Sequence, residues 1–164
     1  MIKATERGTT CVRTLVFGTA MGAFYPLIVA GLYMGLESLP LAIASVYWGL
    51  IKAILAYAVL CLYQLNGLKK YAFVSILLFA SAVFSIHPVA YFLTMATEAL
   101  ALTGLSLVIF DLGRSRPASN LQLAGGLIFL GVVLSVLNAP AVEFAASVAL
   151  LFGLLLTATR LMRI

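Results

Sequence analysis

Residues 39–63 read LPLAIASVYWGLIKAILAYAVLCLY. Apart from Lys52 this run carries no charge. It exceeds the roughly 20 apolar residues that an α-helix needs to cross a hydrocarbon core about 30 Å thick. Its reading decides the fold, because the rest of the chain repeats it. Further apolar runs lie near 12–36, 71–86, 89–112, 121–137 and 141–159. The expected architecture is all-α, a polytopic integral membrane bundle of six transmembrane helices with short loops, filling residues 1–164 as a single domain.

The composition agrees with this reading. Of 164 residues, 64% are hydrophobic and 9% are charged, and the mean hydropathy is +1.17. A soluble domain has about 45–50% apolar and about 25% charged residues. A water-soluble globule and a disordered chain are therefore excluded. The net charge of +5 does not make a nucleic-acid surface, because the basic residues sit in small groups between apolar runs rather than in a stripe.

The connections carry turn chemistry. Residues 35–40 end one run and start the next with Gly35 and Pro40. Asn66-Gly67 suits a left-handed helix cap. His87-Pro88 disfavours helix at His87. Gly113 reads as a stop before the polar stretch that ends at Asn120, a helix-capping residue. Asn138-Ala139-Pro140 forms the last turn.

Six spans sort the charges. Lys3, Arg7, Arg13, Lys69, Lys70, Arg114, Arg116, Arg160 and Arg163 fall on one side with Glu6 and Asp111. The other side holds only Glu37 and Glu143. By the positive-inside rule the basic side is cytoplasmic. The expected location is the cell (inner) membrane, multi-pass, with both termini cytoplasmic. The apolar run after Arg13 exceeds the 7–15 residues of a signal-peptide core, so it is read as a retained span.

Two charges remain inside spans. Lys52 lies twelve residues past Pro40, about 18 Å along a helix. A lysine at that depth costs about 2.5–3.5 kcal/mol on insertion scales. Glu98 lies ten residues past Pro88, about 15 Å deep by the same rise. The two are expected to pair, either as a site for a small solute, ion or proton or as a device that fixes helix register. Ser45, Trp48 and Lys52 share a helix face, as do Thr94, Thr97 and Glu98, and Ser81 and Ser85. Lys52, Glu98, Trp48, Thr94 and Thr97 are the candidate binding residues. Hydroxyls in spans also serve to satisfy backbone carbonyls and join helices.

The first span carries two GxxxG motifs, Gly18/Gly22 and Gly31/Gly35, whose small residues let helices approach closely. Pro26 between them removes a hydrogen bond to the Gly22 carbonyl and predicts a kink. Tyr33, Trp48, Tyr91 and Phe92 are expected as aromatic anchors at one interface, with Tyr63 and Tyr71 at the other. Glu143 is read as a complement to its helix dipole, and Asp111 has the spacing to pair with Arg114.

No cofactor is expected. The single histidine, His87, cannot supply paired haem ligation or build a zinc site without nearby carboxylates or thiols. Cys11 and Cys61 are expected as unpaired small apolar residues near the cytoplasmic face, where disulfides are uncommon. No catalytic motif is present, so an enzyme would have to use Lys52 and Glu98 as its acid and base. The two functional readings are a transport-type protein with a mid-membrane polar site, and a non-catalytic accessory or assembly subunit of a larger membrane complex. The lipid bilayer is the expected partner, with other membrane proteins or a second copy as further candidates and nucleic acid excluded.

Overall fold

The computed structural model describes residues 2–33, 41–87, 91–114, 119–137 and 140–162. The described chain is helical throughout: α1 (Ile2–Gly22), α2 (Phe24–Tyr33), α3 (Leu41–Asn66), α4 (Lys69–Ile86), α5 (Tyr91–Arg114), α6 (Ser119–Ser135) and α7 (Pro140–Leu161). The helix α1 and its continuation α2 form one span interrupted at Ala23, three residues before Pro26. The interruption falls where the ring of Pro26 and its missing N–H disturb the preceding turn.

Five stretches are long and apolar enough to cross a membrane: Gly8–Val29, Ile43–Asn66, Lys69–Ile86, Phe92–Arg114 and Ala141–Leu161. The sixth, α6, is apolar but shorter, with 17 residues and a length of about 26 Å. It nevertheless runs alongside its longer neighbours. Gly125 packs on Ser106 and Phe110 of α5, while Gly113 of α5 meets Leu121 and Gln122. Rising numbers on one helix meet falling numbers on the other, so the two are antiparallel. Gly131 against Leu150, and Gly153 against Ile128, give the same register between α6 and α7.

The remaining neighbours follow suit. On the first span, Gly18 meets Leu55 and Gly22 meets Ile51 of α3. Ser75 of α4 donates to the Ala56 carbonyl at 2.8 Å, and Gly104 of α5 meets Val74. The α1–α2 span closes the ring by packing on α7. The result is an up-and-down ring of six helices in chain order. Leu15, Leu55, Leu105, Ile109 and Leu154 are fully buried in its core. Phe73, Ile76, Phe79, Leu107 and Phe152 face outward, as helices in lipid require.

Several local expectations change. Gly113 is not a loop residue: it lies in the last turn of α5, and a Cβ there would stand 2.9 Å from the Gln122 nitrogen. Trp48 and Tyr71 are 2% and 3% exposed, so neither is an interfacial anchor. Phe92 is 80% exposed and fits that role. Asp111 pairs with Lys70 across α4 and α5 rather than along its own helix. The Arg114 guanidinium instead lies over the Phe110 ring. Gly67 has φ +67°, the left-handed cap that Asn66-Gly67 predicts. Gly35, Glu37, Pro40, Pro88, Arg116 and Arg163 lie outside the described residues, and so do the contacts of Gly31.

The clearest correction concerns the cysteines. Cys11 and Cys61 form a disulfide with their Cα atoms 5.5 Å apart. Sequence separation hid this contact. The antiparallel register that sets Gly18 against Leu55 also sets Gly8 against Leu65, and the two cysteines lie between those levels.

Candidate functional site

The site grows from one buried amine. Lys52 projects from the middle of α3 and has no solvent exposure. An ammonium has three N–H groups to satisfy. Two go to α4: Nζ donates to Ser81 Oγ at 2.9 Å and to Ser85 Oγ at 2.5 Å. These serines stand four residues apart and therefore on one face of their helix. Ser85 in turn donates to the Ser81 carbonyl at 3.0 Å, which leaves its oxygen lone pairs toward the amine.

Glu98 of α5 lies on the remaining side. Its Oε2 is 3.6 Å from Lys52 Nζ, an ion pair without a direct hydrogen bond. Its Oε1 instead accepts a 2.6 Å hydrogen bond from Trp48 Nε1. Trp48 precedes Lys52 by one helical turn, so both α3 side chains reach the same carboxylate. The Lys52 ammonium also stands 5.6 Å from the Trp48 ring centroid, within cation–π range. Tyr25 of α2 stacks on the indole at 4.4 Å with the rings 7° from parallel. Four helices thus meet in one polar cluster.

Glu98 is the member that opens outward from the cluster. Its side chain is 25% exposed while that of Lys52 is 0%. It lines a cavity of about 720 Å³ bounded by α2, α5, α6 and α7. The cavity extends from the end where α5 and α7 begin, at Phe92 and Glu143, to Leu102 and Leu150 deeper in the bundle. Most of the wall is apolar, including Val29, Met95, Ala99, Val132 and Ala146. Two carboxylates face it, Glu98 and Glu143.

The candidate residues are therefore divided by the fold. Lys52, Trp48 and Glu98 come together, with Ser81 and Ser85 from the face already singled out in sequence. Thr97 donates to the Leu93 and Thr94 carbonyls of its own helix at 2.8 and 3.0 Å. Neither Thr94 nor Thr97 is among the cavity-lining residues. Gly18 and Gly22 lie against α3 and hold the first span close to the cluster: a Cβ on Gly22 would meet Ile51 at 3.2 Å and Trp48 at 3.5 Å.

Tyr25 and Glu143 are the residues that sequence reasoning passed over. For Glu143 a signal existed: Glu143, Ala146, Ser147 and Leu150 follow helical spacing and all line the cavity. For Tyr25 none did, since nothing local to α2 says that its ring meets α3. Compared with protein-family models, curated proteins and solved structures, the chain matches none.

Proposed function

We propose that this chain is a small transport-type membrane protein, in which a solute, ion or proton enters the cavity and is met there by Glu98. The observation that carries the reading is the double contact of that residue. One side of Glu98 faces the buried Trp48–Lys52–Ser81–Ser85 cluster, and the other lines the cavity. An ion pair that served only to fix helix register would need no space of this size against one of its members. A ligand that engages Glu98 competes with Trp48 and Lys52 for the same carboxylate. Occupancy of the cavity is thereby coupled to the packing of α3 and α4.

The alternative, an accessory or assembly subunit, would be favoured by small-residue faces left free to meet a partner. Gly18, Gly22, Gly104, Gly125, Gly131 and Gly153 each pack on a neighbouring helix of the same chain. Those faces are occupied within the bundle, which favours the transport reading. Charge placement supports a cytoplasmic location for both termini in the cell membrane. On that orientation the cavity opens toward the outside.

Transport requires that the site be reached from both faces of the membrane. Ala99 lines the cavity beside Glu98 and gives a position to test this. An Ala99→Cys thiol should react with a membrane-impermeant maleimide in whole cells and also in inside-out vesicles, with the wild-type protein as control. Reaction from one face only would overturn transport in favour of the accessory reading.

A further inference from the structure

The cavity also carries information about the chemistry of its ligand; the inference rests on the reading of this cavity as a binding site. We infer that it takes an amphipathic organic cation: an aromatic or branched-alkyl body bearing one positive charge.

The volume sets the size class. About 720 Å³ lies within the roughly 300–1,000 Å³ of pockets that hold drug-sized molecules. The wall sets the character of the body. Met95, Val132 and Leu150 offer apolar contact, and the wall includes the aromatic side chains of Tyr25 and Phe92, a residue type that attracts cations. The charges set the sign. Among the described lining residues the charged side chains are Glu98 and Glu143, and both are acids.

The one cation nearby does not alter that sign. The Lys52 ammonium has no exposure, and two of its hydrogen bonds go to serines of α4, a helix that does not line the cavity. It lies 3.6 Å from Glu98, beyond hydrogen-bond distance, so a cationic guest can compete with it for Oε2. The serine hydroxyls in the wall offer little competition: Ser135 donates to the Val132 carbonyl and Ser147 to the Glu143 carbonyl, at 2.8 and 2.9 Å.

Other ligand classes fit less well. An anion would bring its charge against two carboxylates. A neutral apolar molecule would strip water from them and return no compensating contact. A bare metal cation wants six or more oxygen ligands or retained waters, and this wall is mainly carbon. An organic cation satisfies both demands at once, since its body fills the apolar space and its charge meets the acids.

The test is equilibrium binding of tetraphenylphosphonium to the purified full chain in lipid nanodiscs, with empty nanodiscs subtracted. Tetraphenylborate, an anion of matched size and shape, is the comparison. Saturable binding of the cation, and none of the anion, is expected. Glu143→Gln should weaken it about tenfold or more, as should Glu98→Gln. Glu143→Gln keeps the test sound if Glu98→Gln fails to fold, because no ion pair of the buried cluster includes Glu143. Equal binding of the anion would overturn the inference, as would unchanged cation affinity in Glu143→Gln. The two readings fail separately. Carboxylate-dependent cation binding with one-sided labelling of Ala99→Cys leaves the ligand class standing and removes transport. Two-sided labelling with no preference between the ions does the reverse.

Discussion

Trp48 Nε1 lies 2.6 Å from Glu98 Oε1, so the carboxylate is held by a neutral indole more closely than by the ammonium 3.6 Å away. Trp48 is almost wholly buried and stacked on Tyr25. Its indole N–H fixes where Glu98 points. Trp48→Phe keeps an aromatic ring against Tyr25 and removes the donor. Hydrogen bonds to charged groups contribute about 1.5–3 kcal/mol, so a destabilisation of that order is expected in detergent unfolding. A Trp48→Phe protein as stable as wild type would show that the indole donor does not hold the carboxylate.

The ion pair makes a second prediction. Lys52→Met leaves Glu98 without its counter-ion, and Glu98→Gln does the same to Lys52. Breaking a buried pair costs about 3–5 kcal/mol, whereas replacing both partners with apolar groups is often neutral. Each single variant should therefore melt below the Lys52→Met, Glu98→Met double. Strictly additive losses in the double would mean that the pair contributes no coupling.

Helix packing can be tested at three glycines, two of them on the first span. A Cβ at Gly18 would stand 2.8 Å from Leu55, and one at Gly22 would stand 3.2 Å from Ile51. Gly18→Leu and Gly22→Leu should each lose about 1–3 kcal/mol by overpacking. Gly126 of α6 has open space around it, so Gly126→Ala should gain about 0.5–1 kcal/mol from helix propensity. Thermal melts of the three variants in one detergent check both signs.

The Cys11–Cys61 bond ties α1 to α3 across a sequence separation of 50. Denatured protein should take up no thiol reagent until it is reduced, and its intact mass should then rise by two adducts. Cys11→Ser with Cys61→Ser should cost about 2–4 kcal/mol. Two adducts without reductant would show that the thiols are free.

Orientation follows from charge alone and has its own test. Reporter fusions after residue 164 and within 115–118 should signal cytoplasm, and one near Glu37 should signal the exterior. An external signal from 115–118 would invert the bundle and turn the cavity to the inside.

What the sequence determined by itself was the helical membrane class and the similar levels of Lys52 and Glu98 along their helices. Both rest on local quantities. An apolar run such as 39–63 must form helix in lipid because its backbone has no other hydrogen-bond partner, and a helix rises a fixed distance per residue. Counting along two runs therefore put Lys52 and Glu98 at nearby levels before any contact was known. The helix interruption before Pro26 and the left-handed Gly67 are equally local.

Tertiary structure decided which faces meet. Counting gives the height of a side chain but not the rotation of its helix about the ring. That rotation turned Trp48 and Tyr71 inward from their expected interfacial positions. It joined Cys11 to Cys61, gave Asp111 to Lys70, and left Thr97 bonded to its own backbone. It also aligned Glu143 with Glu98 along one cavity, although they belong to different helices. Rotation is set by how glycines and branched side chains interlock along each pair of helices, as where Gly18 receives Leu55 and Gly104 receives Val74. That complementarity belongs to pairs of surfaces, and a single run of residues does not contain it.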